Sequence, residues 1–344
     1  MDRRIIWGVI IVAVLIIGAV AGVFLFYKPP SMNMKIGYLP AASYGLIWVA
    51  YEGGFFEHEG LNVTLIEYGS VADLVAALSR GDIDGAPVTS VAIAGFIRNL
   101  DAVVVAGNSL DGTALVSTKG SSIGSLSDLS GKRVATVLYV PGDFIFKKLL
   151  GELGIAVNFS SYMSPADALL ALEGGQVDAA FLWEPYSSLA AYRNLEIVLW
   201  DKEVYPVDYP CCLQVFRSSF ASSDPDAVTK FVKALIKAEV FAYNKPDESL
   251  PMVKKYLPAL SYPIIYDSII GLEPRINQSR NPLSGYFNVT ELQQFFQLLI
   301  PSILSLNDYN QLVTKLDTRY YNAALSELKR EGFNLPSIYT KKVG

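Results

Sequence analysis

The chain has 344 residues, enough for two domains of roughly 150 residues each, and 51% of them are apolar, as in a globular protein with an ample core. Its 28 basic and 33 acidic residues leave it mildly acidic, with no basic stripe, which excludes a surface built for nucleic acid.

The first element differs from all the others. Ile5 through Phe26 carries no charge, follows Arg3 and Arg4, and ends at Tyr27, Lys28 and the Pro29-Pro30 break. At about 1.5 Å per residue it spans a bilayer core of about 30 Å. The basic pair predicts a cytoplasmic amino end, which puts everything after Lys28 outside the cytoplasm. Ala19-Val20-Ala21 has the form of a signal cleavage site, so secretion after cleavage is the alternative. The apolar run continues past it to Phe26, longer than a signal core needs. Residues 1–30 are read as a single-pass transmembrane helix anchoring an extracytoplasmic domain at the cell membrane. No Cys lies near the segment to carry a lipid.

Beyond Pro30 strands and helices alternate. Lys35–Leu39 reads as a strand, Leu46–Gly53 as a helix, Val63–Tyr68 as a strand and Val71–Leu78 as a helix capped by Ser70. Arg133–Leu138 reads as a strand, followed by a Pro-Gly loop and a helix over Phe144–Leu153. Alternation of this kind predicts an α/β fold with parallel strands. The carboxyl third is more helical. Ser223-Asp224-Pro225 marks a helix start, Val228, Phe231, Val232, Leu235 and Ala242 form one apolar stripe, and further helices are expected near 292–304 and 309–316.

A ten-residue segment occurs twice. ALSRGDIDGA (77–86) and ALEGGQVDAA (171–180) share five positions, and each reads as a helix ending at Gly81 or Gly175, a short apolar strand, and polar residues opening a new helix. Thr89 and Ser90 follow one copy, Trp183 and Glu184 the other. Two similar α/β lobes facing a shared cleft are expected, with the loops at 40–45, 87–90, 139–143 and 183–186 at the carboxyl ends of strands as the site.

Five blocks carry a family resemblance: GYLPAASYGLIWVAYEGGFFEHEGLNVTLIEYGS, GDIDGAPVTS, LSDLSGKRVAT, GGQVDAAFLWEPYSSLA and YPCCLQVF, in that order. They resemble the extracytoplasmic solute-binding proteins of ABC importers, in the NMT1/THI5-like branch that serves nitrate, sulfonates, taurine and thiamine-pyrimidine precursors. The resemblance covers about Met34 to Phe216 well and the remainder loosely. It implies a type II periplasmic-binding-protein clamp, each lobe a mixed, mainly parallel sheet flanked by helices. Lobe I would comprise residues 34–115 and 217–344, and lobe II residues 116–216, with crossovers near Thr113–Thr118 and Pro210–Phe216. It also implies a monomer that delivers a small solute to a permease with its ATPase, and needs no cofactor.

Carrying the family's cleft onto this chain gives Ser43, Tyr44, Thr89, Ser90 and Asn108 from the first lobe. Gly142, Asp143, Trp183 and Glu184 come from the second, with Cys211 at the returning crossover. Thr89, Ser90 and Asp143 are also favoured helix caps, and capping alone can explain them. Glu184 is a poor cap beside Pro185, which suits a first helical position. Trp183 is either core or a stacking wall. Several helix starts aimed at one cleft favour an anion. Yet the loops hold Asp143 and Glu184 and no Lys or Arg, which disfavours bare nitrate and suits an organic solute: a sulfonate, an amino-sulfonate or a pyrimidine-like ring. Lys147, one turn after Asp143, softens that argument.

Cys211 and Cys212 are adjacent, and in a strand they point to opposite faces. A vicinal disulfide would need a strained turn, and two sulfurs with His58 make no tetrahedral metal site. An enzyme is the competing class, since a related eukaryotic branch makes the thiamine pyrimidine, but no partner base for a Cys nucleophile is evident. A solute sensor shares every feature so far. Asn62, Asn158, Asn277 and Asn288 begin triplets that permit glycosylation.

Overall fold

The computed structural model describes residues 32–340, and the expected membrane segment, 1–30, lies outside them. No helix among the described residues is long and apolar enough to cross a membrane. From Asn33 onward the chain forms one compact unit containing two sheets.

The first lobe is built on β1 Met32–Tyr38, β2 Leu61–Glu67, β3 Gly85–Thr89, β4 Ala102–Leu110 and β10 Pro210–Arg217, in the order β2-β1-β3-β10-β4. The second holds β5 Thr113–Thr118, β6 Arg133–Val137, β7 Asn158–Tyr162, β8 Ala179–Trp183 and β9 Leu195–Trp200, in the order β7-β6-β8-β5-β9. β1 and β3 are parallel, as are β6 with β7 and β8. β10 runs antiparallel to β3 and β4, and β5 antiparallel to β8 and β9. Both sheets are therefore mixed. The antiparallel strand in each is the one entered directly after the chain crosses between lobes.

The repeated segment makes the same bonds in both lobes. The N–H of Asp84 donates to Lys35 O at 2.8 Å while its carboxylate accepts from Lys35 N, also at 2.8 Å. Asp178 repeats both bonds with Arg133, again at 2.8 Å. Each aspartate thus clamps its own strand to its parallel neighbour. Gly81 and Gly175 take the left-handed conformation, φ 82° and 67°, that lets the next N–H reach back into the ending helix.

Predicted elements appear with shifted ends. Ser70 accepts from Asp73 N at 3.1 Å, capping the helix Val71–Arg80 as expected. The Pro-Gly loop is not a loop. Pro141 and Gly142 form the first turn of the helix Pro141–Glu152, since a proline needs no N–H partner there. In the carboxyl part, Asp224 caps the helix Pro225–Asn244, which buries the predicted stripe. Its Phe231 stacks on Phe56 at 4.9 Å and meets Phe216 edge-on at 5.1 Å, so this helix completes the first lobe.

The expected boundaries need one correction. β10 lies between β3 and β4 in the first sheet, so it belongs to lobe I and not to the end of lobe II, where a boundary at 216 put it. Likewise β5 lies wholly in the second sheet. The crossovers are the short links between β4 and β5, at Asp111-Gly112, and between residues 205 and 209.

Two buried carboxylates tie the crossovers together. Asp201 accepts from Thr113 N at 2.8 Å, from Lys202 N at 2.7 Å and from the Tyr209 hydroxyl. Asp111 accepts from Tyr209 N at 3.1 Å and Gln278 Nε2 at 2.8 Å. The lobes also share a non-covalent strap from the carboxyl part. Its β11 Leu272–Glu273 and β12 Gln278–Ser279 form a hairpin, and Arg275 donates to Ile197 O at 3.1 Å and Val198 O at 2.7 Å on lobe II. Arg275 also pairs with Glu203 at 2.6 Å, and Ile276 packs into the lobe II core.

Candidate functional site

A cavity of about 150 Å³ lies between the lobes, walled by the carboxyl ends of strands from both sheets. After β1 come Ser43 and Tyr44, after β2 Ser70, and at the end of β3 Thr89. Lobe II contributes Tyr139 to Pro141 after β6, Tyr162 to Pro165 after β7, and Trp183 and Tyr186 at β8. Cys211 and Cys212 complete the wall from β10. Among the described residues, none that lines the cavity carries a charge.

The structure therefore brings Ser43, Tyr44, Thr89, Trp183 and Cys211 together on one surface. Thr89 has two bonds already. Its hydroxyl caps the helix Ser90–Phe96 through Ala92 N, at 3.3 Å, and donates to Tyr139 O across the cleft at 2.7 Å. Tyr139 itself sits at φ 63°, with its ring 5.0 Å from Phe96, so one residue of lobe II rests on a lobe I helix.

The other five expected residues lie behind the wall. Ser90 is fully buried and donates to Pro210 O at 2.6 Å. Asn108 donates to Ser43 O at 2.5 Å and accepts from Gln214 at 2.7 Å, so it holds the Ser43 loop from below. Gly142 lets the helix approach β5, since a Cβ there would meet Thr113 Oγ1 at 2.0 Å. Asp143 accepts from Val137 N at 2.8 Å, and burial pushes its carboxyl up to about 7, opposed by Lys147. The buried Glu184 carboxylate accepts from Ser188 Oγ at 3.0 Å and from Ser268 Oγ at 2.8 Å. Arg280 in turn donates to Ser188 Oγ at 2.7 Å. Burial raises its pKa despite Arg280, and its position joins lobe II to the helix Tyr262–Ile269 of the carboxyl part.

Sequence reasoning missed Ser164, Tyr162 and Met163, and it placed Tyr139 and Tyr186 in site loops without singling them out. One signal for the first was present. Ser70-x-x-Asp73 and Ser164-x-x-Asp167 repeat across the lobes, and each serine caps its helix at the cavity.

Both cysteines are free thiols, with sulfurs 3.7 Å apart. The bond to Cys212 and burial push the Cys211 thiol well above its ordinary value. Among the described residues, no group of three or more His, Cys, Asp or Glu side chains is placed to hold a metal.

Residues 27–254 match the model of the NMT1-like family. The chain belongs to the NMT1-like family. Relatives of this NMT1-like chain include the taurine-binding periplasmic protein of Escherichia coli K12, 24% identical over 311 residues, covering 85% of this chain and 94% of the relative. A putative aliphatic sulfonates-binding protein of Bacillus subtilis is 29% identical over 210 residues. That match spans 58% of this chain and 63% of the relative, just under two thirds of its length. The NMT1-like chain also shares its fold with the crystal structure of the periplasmic nitrate-binding protein NrtA from Synechocystis PCC 6803. The TM-score is 0.72 at 16% identity, over 90% of this chain and 92% of that one. The two-lobed α/β fold is thus shared over most of the chain.

Proposed function

We propose that this protein is the solute-binding component of an ABC importer, a monomer that captures a small organic solute between its lobes and delivers it to a permease. The observation that carries this reading is the cavity itself, closed by strand ends of both lobes and bridged by the bond from Thr89 to Tyr139. The family membership and the names of the relatives supply the transport class. Catalysis is the weaker reading, because the two thiols on the wall have no histidine, lysine or carboxylate beside them on it.

A thermal-shift screen of the full-length protein in mild detergent tests capture, using sulfonates, amino-sulfonates, pyrimidines and inorganic anions. A bound solute at 100 times its Kd stabilises the protein by about 2.7 kcal/mol. Trp183→Ala should weaken binding by about 1 to 3 kcal/mol for any solute with a ring or alkyl body, through lost burial and stacking, and shrink the thermal shift accordingly. A screen in which no compound moves the melting temperature would remove the capture reading.

The site of action follows from Ile5 to Phe26, and we place the domain outside the cytoplasm on a retained anchor. Native protein should then begin near Met1 and stay with membranes until detergent is added. A soluble form beginning at Gly22 would show cleavage instead.

A further inference from the structure

We infer that the cleft takes an uncharged solute with a flat ring and a hydrogen-bond acceptor, and discriminates against anions; this rests on the capture reading above. Helix starts attract anions only while their N–H groups and positive ends stay unanswered. Around this cavity the chain answers part of that attraction itself. Asp73 lies in the first turn of the helix Val71–Arg80, and Asp167 in that of Pro165–Glu173. In each, the capping serine accepts the aspartate's N–H and donates its own hydrogen to the carboxylate, at 2.7 Å from Ser70 and 2.7 Å from Ser164. Pro141 opens a third helix without an N–H, with Asp143 close behind it. Glu184 accepts from Ser188 N at 3.3 Å at the fourth. Thr89 has given its hydroxyl to Tyr139. An anion would therefore meet helix starts whose capped N–H groups are engaged and whose first turns carry the chain's own acids, and no lining Lys or Arg among the described residues.

What the wall does offer is aromatic surface, with one unpaired hydroxyl buried behind it. Tyr162, Trp183 and Tyr186 present rings from lobe II. Tyr44, on the opposite lobe, lines the cavity while being only 1% exposed, and its hydroxyl has no partner among the described residues. Burial, with Cys212 and Cys211 adding to it, pushes that hydroxyl well above its ordinary pKa, so it stays protonated and can donate. A buried hydroxyl left unpaired costs stability, and a solute acceptor that reaches it as the wall shifts would relieve that cost.

Matched pairs that differ in charge alone decide the matter. Calorimetry on the full-length protein would compare benzenesulfonamide with benzenesulfonate and benzamide with benzoate, with taurine and nitrate alongside. The uncharged member should bind at least tenfold tighter. Tyr44→Phe should weaken it about tenfold without lowering the melting temperature of the free protein, because the lost hydroxyl had no partner to leave behind. Anions that bind as tightly as their uncharged partners would overturn the inference and leave solute capture standing. Undiminished binding by Tyr44→Phe would overturn it too, and silence from every compound would count against both readings.

Discussion

Asp201→Ala is expected to destabilise the protein by about 3 to 5 kcal/mol, seen as a lower urea midpoint. Asp201 is fully buried and accepts from three donors: Thr113 N, Lys202 N and the Tyr209 hydroxyl. Thr113 opens β5 just after the outward crossover, and Tyr209 precedes β10 at the end of the return. One carboxylate therefore fastens both links at the same point. Each buried donor left without an acceptor costs about 1 to 3 kcal/mol, and no neighbouring group replaces three bonds at once. Asp201→Asn, which keeps one carbonyl acceptor, should fall between the two. A loss under about 1 kcal/mol for the alanine variant would mean that the crossovers are held by packing alone.

Stability should also fall as pH rises from about 4 to about 7, and Asp143→Asn should flatten that fall. Burial pushes the Asp143 carboxyl up to about 7, whereas an unfolded chain releases the same proton near 3.9. Between those values the folded protein holds a proton that the unfolded chain has lost. Its contribution is therefore complete at low pH and disappears as pH passes through 7. At about 1.4 kcal/mol per unit, the Asp143→Asn protein should be more stable than its parent at pH 8 by about 2 to 4 kcal/mol and similar to it at pH 4. Burial pushes Asp111, Asp201 and Glu239 in the same direction, so the variant should keep part of the slope. Denaturation curves at pH 4, 6 and 8 measure this. A parent protein that gains stability with pH over that range would refute the sign.

The twofold plan was legible because it rests on local chemistry repeated at short range. Asp84 and Asp178 stand at matching places in the ten-residue repeat and make matching bonds, and Gly81 and Gly175 end matching helices. The membership of β10 was not legible. Its partners β3 and β4 are far upstream, and a mostly apolar strand such as CCLQVF does not announce its neighbours. For the site, residue type located the loops but not the direction of each side chain. Thr89 and Ser90 are equally polar neighbours, yet one faces the cavity and the other bonds Pro210 behind it. Glu184 suggested a ligand contact because it is a poor cap, but its partner Ser268 lies 84 residues away, beyond any local pattern.

The wedge of β10 between β3 and β4 governs the order in which the molecule can be assembled. When the second lobe emerges during synthesis, β3 and β4 already exist, and the slot that separates them is still empty. Lobe II is contiguous from Thr113 to Val204, so it can close its own sheet first as a nested insertion. Until β10 arrives, the first lobe carries two apolar strands with unpaired edges, the arrangement most prone to wrong pairing. Chaperone protection during folding matters most for this interval, and any truncation before Arg217 leaves the amino-terminal half without a finished sheet.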